Sequence, residues 1–127
     1  MVDSGWTVQR HLEGKPRSSV DLFLGFVEIL QGLGPFEFSP SKTTITFKGK
    51  RRGFAGARPT AAGVRGYFDA QRDILAATGD QRLLSVAPYT SRLFVHHFRL
   101  VSPEELDDTM IGWLAEAYAV GEGDHLR

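Results

Sequence analysis

The sequence contains no cysteine. That excludes a disulfide framework and a thiolate zinc site, and it suits a reducing cytoplasm better than an oxidising compartment. A long apolar run is also missing: the longest, Leu22 to Leu30, is interrupted by Gly25 and Glu28 and falls well short of the roughly 20 residues a membrane-spanning helix needs. No membrane partner is expected. Net charge is absent too, because 15 acidic residues balance 15 basic ones, so overall charge selects no partner. Neither an internal repeat nor a low-complexity tract occurs, and 127 residues fit one domain over 1–127, with a loose start at 1–5 and a loose tail at 122–127.

Common enzyme signatures are missing as well: no Gly-x-Ser-x-Gly elbow, His-Glu-x-x-His helix, phosphate-binding loop or dinucleotide fingerprint. Glu13-Gly14-Lys15 matches the Glu-x-Lys of metal-dependent nucleases in letters only, because it ends a short helix at a glycine and no strand-borne acid precedes it at sensible spacing. No catalytic residue, cofactor or metal is therefore expected. Chemistry assembled from residues distant in sequence would leave no such motif, and a histidine–aspartate pair stays open as an alternative.

What is present is clearest between Ser91 and Gly121. Arg92 to Leu100 is an unbroken run of β-branched, aromatic and aliphatic residues around His96 and His97, as in an interior strand. Ser102 stops it. Ser102-Pro103-Glu104-Glu105 puts a hydroxyl at a helix N-cap, proline at the first helical position and glutamate at the third, and Gly121 closes the helix. Leu106, Met110, Trp113, Leu114 and Ala117 form its apolar stripe.

Taken in order, the chain opens with a short helix from Val8 to about Glu13, capped by Thr7 and ended by Gly14. A second helix, Val20 to about Leu33, is capped by Ser18 or Ser19 and is apolar around more than half its circumference, so it must touch more than one neighbour. Its second apolar edge meets either another helix or a second copy of the chain. After Gly34-Pro35 the period becomes alternating: strands are predicted at Phe36 to Phe38, Lys42 to Lys48, Phe54 to Ala57 and Val64 to Ala70. Arg72 to Thr78 is a short helix or loop, and Leu83 to Ala87 pairs with the histidine strand. Helices, then antiparallel strands, then a helix indicate an α+β fold: a single antiparallel sheet of about five or six strands, with two N-terminal helices and a C-terminal helix packed on one face.

The segments HLEGKP, GPFEFSPSKTTITFK, GFAGARP, YTSRLFVHHFRLVSPEELDD and WLAEAYAVG, in that order, resemble the bacterial family catalogued as domain of unknown function 5655, from about Val8 to Gly121. The most specific parts are Pro40-Ser41-Lys42-Thr43, Phe54-Ala55, His96-His97 and Asp107 to Tyr118. The resemblance implies no reaction. There is a looser likeness to small α+β modules such as the YjbR-like proteins, some linked to DNA binding, which is an analogy of fold.

Three constellations are candidates for function. The basic residues Lys42, Lys48, Lys50, Arg51, Arg52, Arg58 and Arg65 lie on adjacent strands and their turn, with Thr44 and Tyr67 among them. Such a patch suits phosphates, with the ring stacking on a base, and nucleic acid or a small anionic ligand is the partner it implies. It also suits ordinary solvated strands, the more so because seven acids and no base follow between Glu104 and Asp124 and could neutralise it. Next, His96 and His97 point to opposite faces, so they do not share an ion; either is a structural imidazole or part of a pocket. Last, Asp107 flanks the apolar stripe, either favouring the positive helix end or pairing with Lys42, Arg92 or a histidine. The leading reading is a non-catalytic binding module, with a homodimeric interaction domain as the alternative.

Overall fold

The computed structural model describes residues 5–126. Six antiparallel strands, β1 (Glu37–Pro40), β2 (Ile45–Lys48), β3 (Gly53–Thr60), β4 (Gly63–Ala70), β5 (Leu83–Thr90) and β6 (Leu93–Leu100), form one sheet in the order β1-β2-β3-β4-β6-β5. The predicted α+β class holds. Four helices accompany it among the described residues: α1 (Val8–Leu12), α2 (Arg17–Leu33), α3 (Ile74–Thr78) and α4 (Asp108–Gly121).

Strand alternation decides which face is covered. Ile45, Phe47, Ala55, Ala57, Val64, Phe68 and Phe98 point to one side and are fully buried. α2 and α4 pack there side by side, with Phe26 against Phe47 and Phe98 (ring centroids 5.9 and 5.5 Å apart) and Trp113 over Phe68 at 6.0 Å. The apolar surplus of α2 is thus shared between the sheet and α4, while Leu106 presses on Gly25 and Leu24 stays exposed. α1 docks beside β3, and α3 sits against β5. On the opposite face Arg58, Arg65, His97 and Arg99 are exposed, while Tyr67 is half-buried and Asp69 buried.

Several boundaries differ from the sequence expectation, each for a tertiary reason. α2 starts at Arg17 behind Pro16, and neither serine caps it; Ser19 is buried and its hydroxyl accepts the Gly63 N–H at 3.0 Å, tying the helix to the β3–β4 turn. Gly63 sits at φ +109 with Leu100 backbone against its Cα, where a side chain has no room. The Ser102 capping box forms, with Glu105 accepting the Val101 and Ser102 amides at 2.6 and 3.0 Å, but around a single 3-10 turn, Pro103–Glu105. Leu106 breaks that turn and the helix restarts with Asp107 as its cap, accepting the Met110 N–H at 2.9 Å. Gly121 is the last residue of α4 as expected, though not in a left-handed conformation, and Phe54 packs against its Cα. Prolines 40, 59 and 88 lie within strands, at strand ends or on an outer strand, where a missing N–H costs little.

The loose start expected for residues 1–5 lies, except for Gly5, outside the described residues. The loose tail expected from 122 is corrected: Asp124–Leu126 form a 3-10 turn and His125 is buried.

Candidate functional site

The register places three arginines side by side on the open face. Arg58 of β3 is opposite Arg65 of β4, and Arg65 is opposite Arg99 of β6. All three are exposed. Like charges directly opposite across strands repel, and among the described residues no salt bridge reaches any of them. Of the acids that sequence balance offered as neutralisers, Asp108 and Glu116 lie on α4 and Asp107 and Glu122 cap it, and α4 packs on the other side of the sheet. Three of them are engaged elsewhere: Asp107 with Arg82 at 2.9 Å, Glu116 with Arg72 at 2.8 Å, and Glu122 with the Lys50 amide at 2.8 Å.

The next row along the strands carries aromatic groups. Tyr67 is opposite Gly56 on one side and His97 on the other. Its ring lies down over Gly56, where any side chain would collide with it, and its hydroxyl reaches Thr46 on β2 at 3.0 Å. Burial raises the phenol's pKa, and the Thr46 hydrogen bond pulls it partly back. His97 is exposed with its ring 6.3 Å from that of Tyr67. The open face thus sets a tyrosine ring lying over a glycine beside an exposed imidazole and a row of guanidinium groups.

The basic patch expected from sequence is therefore not continuous. Arg58 and Arg65 stand at one end of the face, and Arg99, which sequence reading left out, joins them through the same alternation that pairs it with His97. Lys50, Arg51 and Arg52 stand at the other end, roughly 20 Å away at about 3.3 Å per strand residue. There the Arg52 guanidinium and the hairpin backbone are occupied. Arg52 donates to Asp69 at 2.9 Å and lies over the Tyr89 ring at 5.2 Å. The amides of Arg51 and Arg52 donate to the Gly121 carbonyl at 2.9 and 3.3 Å, and Arg92 donates to the His125 carbonyl at 3.0 Å. Asp69 is buried beneath Arg52, and that burial pushes its carboxyl up to about 6 despite the guanidinium, which pulls it down. Lys48 faces Glu37 across β1.

Lys42 and Thr44 are corrected in place: both lie in the tight turn before β2, where the Ser41 N–H donates to the Thr44 carbonyl at 2.8 Å, and not on a strand face. Lys42 instead lines a groove with Arg58 and α1.

The two histidines separate cleanly. His96 is fully buried, stacked on Phe68 with ring centroids 4.8 Å apart, and both its nitrogens are committed: Nε2 accepts the Ile74 N–H at 3.0 Å and Nδ1–H donates to the Phe94 carbonyl at 3.2 Å. Burial, opposed by the Phe94 hydrogen bond, lowers its pKa and keeps it neutral. It is a structural residue that anchors α3. Asp107 does not pair with Lys42, Arg92 or a histidine. It caps α4 and takes Arg82, whose guanidinium also holds Asp80 at 2.8 Å and covers the Trp113 ring at 4.9 Å. Those hydrogen bonds, the Met110 amide first, lower the Asp107 pKa. The histidine–aspartate pair left open by sequence does not form.

Among the described residues no three His, Asp or Glu side chains converge as a metal centre requires, and no helix is long and apolar enough to cross a membrane. Residues 8–121 match the family model described as "Domain of unknown function (DUF5655)". No curated protein and no solved structure matches the chain.

Proposed function

The chain belongs to the DUF5655 family, and we propose that its open sheet face is a non-catalytic binding surface for single-stranded nucleic acid. The observation that carries this reading is the row Arg58–Arg65–Arg99, three exposed guanidinium groups in cross-strand register without a counter-charge among the described residues. Holding three like charges together costs stability, and a polyanion lying across the strands removes that cost. Tyr67 and His97, one row along, supply the stacking surface that single strands expose and duplexes hide. A small anionic ligand satisfies the arginines but leaves the aromatic row unused, and a homodimer through α2 is left with little beyond the exposed Leu24.

The test is fluorescence polarisation of labelled single-stranded DNA, single-stranded RNA and duplex DNA at two salt concentrations. Single strands bind in the micromolar range, more tightly than duplex, with log affinity falling against log salt. Arg65→Glu weakens binding at least tenfold, and Arg99→Gln lowers the salt slope by about 0.7. Absence of binding at low salt, or equal binding by Arg65→Glu, removes the proposal.

A further inference from the structure

The arginine row does not stop at β3. Arg58 also lines a groove of about 370 Å³ whose other wall is α1 and whose floor is the Ser41–Thr44 turn. Arg10, His11, Lys15 and Lys42 line it with Arg58, and no carboxylate is among its lining residues. These groups are set in place. The His11 Nε2–H donates to the Ser41 carbonyl at 2.6 Å, pinning the helix to the turn, and the imidazole lies 5.1 Å from the Trp6 ring. The Arg10 guanidinium rests 4.1 Å above the same indole and donates to the Gly5 carbonyl. Lys15 donates to the His11 carbonyl at 3.4 Å, which holds its ammonium at the groove. Lys42, like Arg58, has no acidic partner among the described residues.

We infer that this groove is a phosphomonoester subsite, a deeper reading that rests on the proposed nucleic-acid face. The distinction between groove and face is one of charge density. An internal phosphodiester carries one negative charge and suits a guanidinium row, whereas a terminal phosphate carries nearly two charges and three acceptor oxygens near neutral pH. Cations from three different segments, α1 with its following turn, the β2 approach and β3, converge on one concave space, which matches the second. Because Arg58 belongs to both places, a strand laid across Arg99 and Arg65 arrives with its end at the groove. The same chemistry is offered by a free phosphorylated small molecule, and the experiment separates the two sources.

Single-stranded oligonucleotides of one sequence, bearing a phosphate at the 5′ end, at the 3′ end or at neither, are compared by polarisation with the full chain. In parallel, inorganic phosphate is titrated while the Trp6 indole and Thr43 amide resonances are followed by NMR. Phosphate at one end tightens binding about fivefold or more, and Lys15→Gln with Lys42→Gln abolishes that preference while leaving the unphosphorylated strand within about twofold. Phosphate shifts at Trp6 and Thr43 without any end preference keep the subsite but assign it to a free phosphorylated compound. Unphosphorylated strands that bind normally, with neither end preference nor phosphate shifts, overturn the subsite and leave the sheet face standing. Phosphate shifts with no strand binding do the reverse, and silence in both experiments removes both.

Discussion

The two ends of the open sheet face carry similar numbers of basic residues and treat them oppositely. At the β2–β3 hairpin end, Arg52 is neutralised by Asp69, and Arg92 and the amides of Lys50, Arg51 and Arg52 are closed off by the last residue of α4 and the chain after it. At the other end, Arg58, Arg65 and Arg99 face one another, with only Arg10, Lys15 and Lys42 beyond. Folding uses the Arg52 charge and the hairpin backbone at the first end. It supplies no ion pair to Arg58, Arg65 or Arg99 at the second among the described residues, and that asymmetry is the reason to propose function there and stability at the hairpin.

The sharpest way to break this comparison is to reverse one charge at each end. Arg52→Glu places a carboxylate against buried Asp69 and costs about 2–4 kcal/mol in urea denaturation, with strand binding by the folded fraction unchanged. Arg65→Glu gives the opposite pattern, lost binding with a melting temperature that holds or rises, because it relieves the row. Equal effects of the two reversals on binding would make the face a single undivided patch. The histidines supply the next contrast. His96→Ala leaves the Ile74 amide and the Phe94 carbonyl unpaired beside a cavity and costs about 3 kcal/mol. His97→Ala leaves stability within about 0.5 kcal/mol and weakens strand binding severalfold.

The smallest effect is in pH. Asp69 has a folded pKa of about 6 against an unfolded 3.8, so the folded state takes up its proton first, and this group's contribution to stability falls as pH rises from about 4 to 6. His96 and His125 are lowered, chiefly by burial, and act in the other direction: their contribution is lost as pH falls below 6.5. In Asp69→Asn the first contribution disappears, so the variant loses stability more steeply than the parent between pH 6.5 and 4.5, by on the order of 1–2 kcal/mol. Parallel urea midpoints across that range would show that Asp69 behaves as an ordinary surface carboxylate.

Local rules read much of this protein from its residues. Alternation in Val64 to Ala70 put Arg65, Tyr67 and Asp69 on one side and Phe68 on the other, as found, and of the expected stripe Met110, Trp113, Leu114 and Ala117 are buried on α4 whereas Leu106 lies before the helix and is half-buried. Those patterns are legible because side-chain direction repeats every two residues on a strand and about every 3.6 on a helix. Which strands become neighbours is not encoded locally. The sequence could show that His97 and Arg99 share a face, and that Arg58 and Arg65 are basic. Only the register of β4 between β3 and β6 aligned three arginines into a row, and only Gly56 opposite Tyr67 laid the ring flat.

Caps show the same division at smaller scale. Ser102 and Glu105 form their box as their spacing requires, yet α4 begins at Asp108, five residues after the expected first helical position Pro103, where Arg82 holds Asp107 and Leu106 packs on α2. Composition and periodicity determined the fold class, the buried faces and the absence of cysteine chemistry, since each depends on residues close together in the chain. The pairing of Arg52 with Asp69, the isolation of Arg58, Arg65 and Arg99, and the convergence of α1 on Lys42 were decided by tertiary structure, because electrostatic partners are set by distance in space.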